Sequence, residues 1–217
     1  RIILTGFTDI EDLVEAINSG QVYKFITKPW EPNELKRIIK QAVQTYEVLN
    51  QHTEDLEKSQ TELDLLKTLV HLSQKSESIK EALVEIASIY SETFSTDVCI
   101  LQLIENNSLS SIQGCSSRVG KTDNWLAKDP LVMEAITSGN VQSVINVSQD
   151  AKFCDFVHYQ TLGIETHLVI PISHRQQLMA LMSLQWQETS TLRPEELSTI
   201  NTSAQLLALI LNSLRIA

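Results

Sequence analysis

A heptad pattern running from Asn33 to about Ser73 constrains this 217-residue chain more than any other feature. Every seventh position from Leu35 is apolar: Leu35, Ala42, Leu49, Leu56, Leu63 and Val70. A second stripe, four residues on, reads Ile39, Tyr46, Thr53, Gln60 and Lys67. The 3-4 spacing holds with no Gly or Pro inside it, which is the mark of a coiled coil rather than of a helix lying on a small domain. At 1.5 Å rise per residue the seam is roughly 54 Å long, more than one small domain covers. A seam of this kind calls for a second copy of itself, and its polar positions at Thr53, Gln60 and Lys67 fix register at some cost in stability. The expectation is a dimeric linker over 33–75 with one module before it (1–32) and another after it (76–217).

Charge and cysteine content narrow the function classes. With 17 Lys plus Arg against 27 Asp plus Glu, the net charge of −10 disfavours binding to nucleic acid or to an anionic membrane surface. No apolar run approaches the ~18 residues of a membrane span, and no signal peptide is visible. Cys99, Cys115 and Cys154 are odd in number and contain no CxxC, so neither a disulfide framework nor a metal cage is expected. A cytoplasmic protein fits best. The chain opens at Arg1-Ile2-Ile3-Leu4, within a strand-like run and without an initiator Met, as a piece of a longer protein does.

Before the linker, Arg1–Thr5 reads as a short strand, Asp9–Asn18 as an amphipathic helix closed by Ser19-Gly20, and Val22–Thr27 as a second strand. Strand, helix, strand and helix in this order imply a parallel sheet of βαβ units. Thr5 and Lys28 then stand at the carboxyl ends of the two strands, where ligand chemistry in such sheets sits. A hydroxyl beside an ammonium there suits a phosphoryl group. The stretch LTGFTDIEDLVEAINSGQVYKFITKPW resembles the second half of a response-regulator receiver domain, with a flavodoxin-like α/β fold, over residues 1 to about 47. The resemblance implies a switch hydroxyl at Thr5, a switch aromatic at Phe25, a phosphoryl-site lysine at Lys28 and a cis Lys28–Pro29 peptide. It also implies a cognate histidine kinase as partner. The family's phosphoacceptor aspartate and metal-binding acidic pair belong to strands that this sequence does not contain.

After the linker, Ile79, Leu83, Ile86, Tyr90 and Phe94 continue at helical spacing following a loss of phase near 73–78. Strands are expected at 97–104, 108–113, 141–147, 166–173 and 177–185, with a helix from Asp129-Pro130 through Ile136 and a last helix opening at Arg193-Pro194. This is an α+β domain with a mostly antiparallel sheet and flanking helices. DPLVMEAITSGNVQSVINVSQD, LGIETHLVIPI, LMALMSL and RPEELSTINTSAQLLALI resemble a GAF domain. The two resemblances together imply a two-component regulator whose output lies outside this chain, and the heptad seam makes it a homodimer expected to join through residues 35–70 and the GAF helices.

Ligand-pocket candidates are Cys154, His158 and Gln185. Cys154 lies nine residues before Gly163, where phytochrome-like GAF domains carry a bilin-binding cysteine, but Asp155 stands where those proteins have histidine. Gln185 matches their second pocket histidine. With both partners missing, no cofactor is expected, and a bilin-bearing photoreceptor is the alternative; a GAF domain that only dimerises is another. His158 and His167 do not share a helical face and read as ordinary hydrogen-bonded histidines rather than metal ligands. No nucleophile–base pair and no phosphate-cradling glycine loop is visible, so no catalytic residue is assigned.

Overall fold

The computed structural model describes residues 2–6, 22–75, 78–120, 125–189 and 192–216. The chain divides into two compact units, Arg1–Ser59 and Gln60–Ala217.

In the first unit, β1 (Ile2–Thr5) pairs in parallel with β2 (Lys24–Thr27), Ile2 opposite Lys24 and Thr5 opposite Thr27. The helix expected over Asp9–Asn18 lies outside the described residues. The Lys28–Pro29 peptide is cis. Helix α1 then runs from Pro32 to Lys75, with Pro at its first position where a missing N–H costs nothing. Ile38 is buried and Leu35 and Ala42 are half-buried, while Ile39, Val43, Tyr46 and Leu49 are exposed.

In the second unit the last turns of α1 are followed by α2 (Ile79–Thr93). The sheet contains β3 (Val98–Glu105), β4 (Ser108–Ser117), β5 (Gln142–Ile145), β6 (Thr166–His174) and β7 (Gln177–Trp186). Their order is β4-β3-β7-β6-β5, and every pairing is antiparallel. Helix α3 (Pro130–Ser138) precedes β5, the short α4 (Val157–Leu162) precedes β6, and α5 (Pro194–Ile216) closes the chain. The expected elements are present with ends shifted by a few residues. Among the described residues, α4 and two short 3-10 turns, Leu126–Lys128 and Val147–Gln149, had no counterpart in the sequence reading.

The three central strands are covered on both faces, and successive side chains divide between two cores. One face presents Cys99, Leu101, Leu168, Ile170, Met182 and Leu184 to Leu65, Leu69 and Leu72 of α1, to Leu83, Ile86 and Tyr90 of α2, and to Leu207 and Leu211 of α5. The close seating of α2 on β4 depends on Gly114, because a Cβ there would lie 2.1 Å from the carbonyl carbon and oxygen of Leu83. The other face presents Val98, Ile100, Val169 and Leu181 to Leu126, Leu131, Val132, Phe153, Tyr159 and Ile164. This second face, beneath α3 and α4, also carries the polar groups described next.

Candidate functional site

Asp129 organises the second face. It precedes Pro130 as the N-cap of α3, and its Oδ1 accepts from the amides of Leu131 at 2.7 Å and Val132 at 3.2 Å. Two donors reach its other oxygen from α4: the Tyr159 hydroxyl at 2.5 Å and His158 Nε2 at 3.2 Å. An N-cap that also binds the neighbouring helix fixes both helices on the sheet. The Tyr159 hydroxyl meets His167 Nδ1 of β6 at 2.8 Å, His167 Nε2 meets Ser183 Oγ of β7 at 2.8 Å, and Gln185 Nε2 donates to Ser183 Oγ at 2.7 Å. Asp129, Tyr159, His167, Ser183 and Gln185 are all buried.

One proton arrangement satisfies the whole chain of bonds. A carboxylate only accepts, so the Tyr159 hydroxyl donates to Asp129 and accepts from His167 Nδ1–H. The neutral imidazole then accepts at Nε2 from the Ser183 hydroxyl, whose oxygen takes the Gln185 amide proton. Electrostatics agree with this direction. Burial drives the His167 pKa down to about 4, against the pull of the Asp129 charge. Burial also acts against the Asp129 carboxylate, yet the hydrogen bonds it accepts, led by His158, outweigh it and hold its pKa below the ordinary value. Burial and the neighbouring Asp129 charge push the Tyr159 phenol upward, which keeps it a donor. The ground state is therefore a buried anion beside a neutral Tyr159 and a neutral His167.

Ser183 and His167 are thus a hydroxyl–imidazole pair at bonding distance that the sequence reading did not find. The pair is sealed inside the sheet, and the Ser183 oxygen already accepts from Gln185, so substrate has no approach to it. At the surface end, His158 stacks on Trp125 with ring centroids 3.6 Å apart. Among the described residues, Trp125 Nε1 and Gln185 Oε1 are buried without a hydrogen-bond partner.

The structure brings two of the three pocket candidates, His158 and Gln185, into this network. Cys154 stays outside it: its thiol is half-buried, and the hydrogen bonds at this residue involve its main chain, with Asp150 and the Gln160 side chain. Sequence reasoning read Asp129 only as the start of a helix and gave no site role to Asp129, Tyr159 or Ser183. The available signal for Tyr159 was Gly163, whose φ of 66° ends α4 in the left-handed conformation that favours glycine. In the first unit, Thr5 pairs with Thr27, so Thr5 and Lys28 come to the same carboxyl-terminal end of the β1–β2 pair. Lys28 Nζ lies 5.6 Å from the Trp30 ring centroid. The side chains of Thr5 and Phe25 are outside the described ones. Among the described residues no cluster of His, Cys, Asp and Glu suits a metal ion, and no helix is long and apolar enough to cross a membrane.

Comparison with known proteins places this site in a wider fold. A 46-residue stretch is 41% identical to the hydrogenase transcriptional regulatory protein HoxA of Bradyrhizobium diazoefficiens, covering 21% of this chain and 10% of that protein. The chain thus spans about a tenth of the length of this curated relative. The phycocyanobilin-bound GAF domain of a cyanobacterial phytochrome shares the fold, with a TM-score of 0.57 at 14% identity over 71% of this chain and 96% of that one. So does the free methionine-R-sulfoxide reductase of Neisseria meningitidis in complex with its substrate, with a TM-score of 0.55 at 12% identity over 71% of this chain and 90% of that one. Pigment binding and catalysis both occur on this fold, so the fold alone decides neither. The GAF domain family profile matches residues 78–211, and the chain belongs to the GAF domain family.

Proposed function

We propose that the chain is part of a two-component signalling regulator, in which a receiver module is joined through a dimeric α1 to a GAF sensor domain. The observation that carries this reading is the division of labour on α1. Leu65, Leu69 and Leu72 are buried in the core of the GAF-containing unit, while Leu49, Leu56, Leu63 and Val70 at heptad spacing are 44–71% exposed. A helix that anchors in a domain core by one stripe and offers a second stripe at period seven suits a partner helix of the same sequence. Helix α5 adds to the proposed dimer surface. It has no charged residue between Leu197 and Leu214, and its exposed positions there include Ser198, Asn201, Gln205 and Leu209. Interface cores are depleted of charge in this way.

The parallel β1–β2 pair, with Thr5 and Lys28 at its carboxyl end, supports a receiver role for the first unit, and the likeness to a stretch of a transcriptional regulatory protein fits a regulator. Lys28 would offset phosphoryl charge when the acceptor strands are present, with a histidine kinase as donor of the phosphoryl group. The acidic net charge and three free thiols fit the cytoplasm. The test uses the phase of the seam in the full-length protein. Inserting seven residues between Thr53 and Leu56 keeps the seam facing its partner, whereas inserting four rotates the module beyond it. The four-residue insertion should uncouple phosphorylation from output and the seven-residue insertion should not; equal behaviour of the two would refute transmission through α1.

A further inference from the structure

At the surface end of the hydrogen-bond relay that runs from Asp129 through Tyr159, His167 and Ser183 to Gln185, one cluster has the chemistry of a binding site. The His158 ring is enclosed by aromatic groups: Trp125 stacked at 3.6 Å, Tyr159 tilted at 4.2 Å and Phe156 edge-on at 5.8 Å between centroids. Beneath it, Nε2 meets Asp129 Oδ2 at 3.2 Å. Asp129 is fully buried, and no lysine or arginine among the described residues pairs with it. Among the described residues the groups that can pair with its charge are the imidazoles of His158 and His167, and aromatic faces attract cations. Together the carboxylate and the rings form a receptor for a compact organic cation.

We propose that Trp125, Phe156, Tyr159 and Asp129 form a binding site for a small organic monocation of the guanidinium or amine class, in which His158 is the built-in occupant that such a ligand displaces. The position of His158 allows exchange. Its side chain is 15% exposed, whereas Asp129 is sealed behind it. His158 is also the second residue of the six-residue α4, beside Val157 at 73% exposure. When His158 swings outward, the ligand's N–H groups take its place on Asp129 Oδ2 and the ligand's charge lies against Trp125. Tyr159 remains bonded to both Asp129 and His167, so occupancy is felt on the sheet through the relay. Trp125 Nε1, buried and without a partner among the described residues, offers a donor to a ligand that carries an acceptor.

This inference rests on reading the GAF module as a sensor, and binding separates it from transmission along α1. The probes are methylguanidinium and its neutral isostere N-methylurea, titrated into the whole chain by calorimetry and by tryptophan fluorescence in a Trp30→Phe/Trp186→Phe background. Removing the resident ring by His158→Ala should tighten methylguanidinium binding about tenfold over the unaltered protein, because the competing occupant is gone. N-methylurea should not bind, and adding Trp125→Leu should abolish methylguanidinium binding. If His158→Ala fails to fold, the unaltered protein still decides by NMR. His158 ring protons, displaced by the Trp125 ring current, should move toward free-histidine positions with methylguanidinium and stay put with N-methylurea. Equal responses to the two probes, or no response to methylguanidinium at about 50 mM in folded protein, overturn the proposal. Charge-selective binding in a protein whose four-residue insertion still transmits would leave this site intact and sink the α1 mechanism instead.

Discussion

Tyr159 and Asp129, 30 residues apart in sequence, meet at 2.5 Å, with the tyrosine hydroxyl donating to a carboxylate that also caps α3. The same hydroxyl accepts from His167 Nδ1 at 2.8 Å, so one oxygen ties two helices to the middle of the sheet. Tyr159→Phe removes that oxygen while keeping the ring and its packing. The buried carboxylate loses a donor and His167 loses its acceptor, which should cost about 2 kcal/mol. Urea unfolding of the chain measures this. A loss below about 0.5 kcal/mol would mean that the relay is not under load.

Acid should destabilise the GAF-containing unit through His167. Its folded pKa of about 4 lies below the ordinary 6.5, so the folded state disfavours the protonated ring. Stability from this group is complete above 6.5 and is lost as the pH falls toward 4. At 1.36 kcal/mol per unit, the loss amounts to about 3 kcal/mol. Asp129, whose pKa is lowered, adds its own loss only further into the acid range. Unfolding free energies at pH 7.5 and 4.5 should therefore differ by most of that amount, and His167→Gln should flatten the difference. A pH-independent profile across this window would contradict a buried neutral imidazole.

Cys154 should carry no pigment. Its thiol is half-buried and outside the relay, and Cys154→Ala should change stability by no more than about 1 kcal/mol. Co-expression with bilin-synthesis enzymes should give colourless protein. A covalent visible band present in the unaltered protein and missing in Cys154→Ala would promote the photoreceptor reading.

Much of the fold was legible because helical and alternating periods survive in a single sequence. Leu83, Ile86 and Tyr90 marked α2, and Ile200, Ala204, Leu207 and Leu211 marked α5. Asp129-Pro130 announced the start of α3 for a local reason, the cap that the structure shows. The site was less legible. Six-residue α4 is too short for a period to emerge, and without it neither His158 nor Tyr159 has an assigned direction. Ser183 and His167 lie on different strands, and only the pairing of β6 with β7 makes them neighbours. That pairing is long-range information with no local signature. Gln185 entered through family resemblance, and its bond to Ser183 was visible only in the fold.

The seam of α1 is the most direct point of decision, because dimerisation through it underlies everything proposed for signalling. Leu56 and Leu63 are 71% and 51% exposed in the single chain, so replacing both with Asp disturbs no intramolecular core. In a dimer the same replacements set like charges against each other in a desolvated seam, which is costly. Sedimentation equilibrium at protein concentrations on the order of tens of micromolar reads the outcome, since assembly is concentration-dependent. The account predicts a dimer for the unaltered chain and a measurably weakened dimer, with unchanged helical circular dichroism per residue in the GAF-containing unit, for Leu56→Asp/Leu63→Asp. An unaltered chain that sediments as a monomer, or a double variant that dimerises as tightly as the parent, would contradict it.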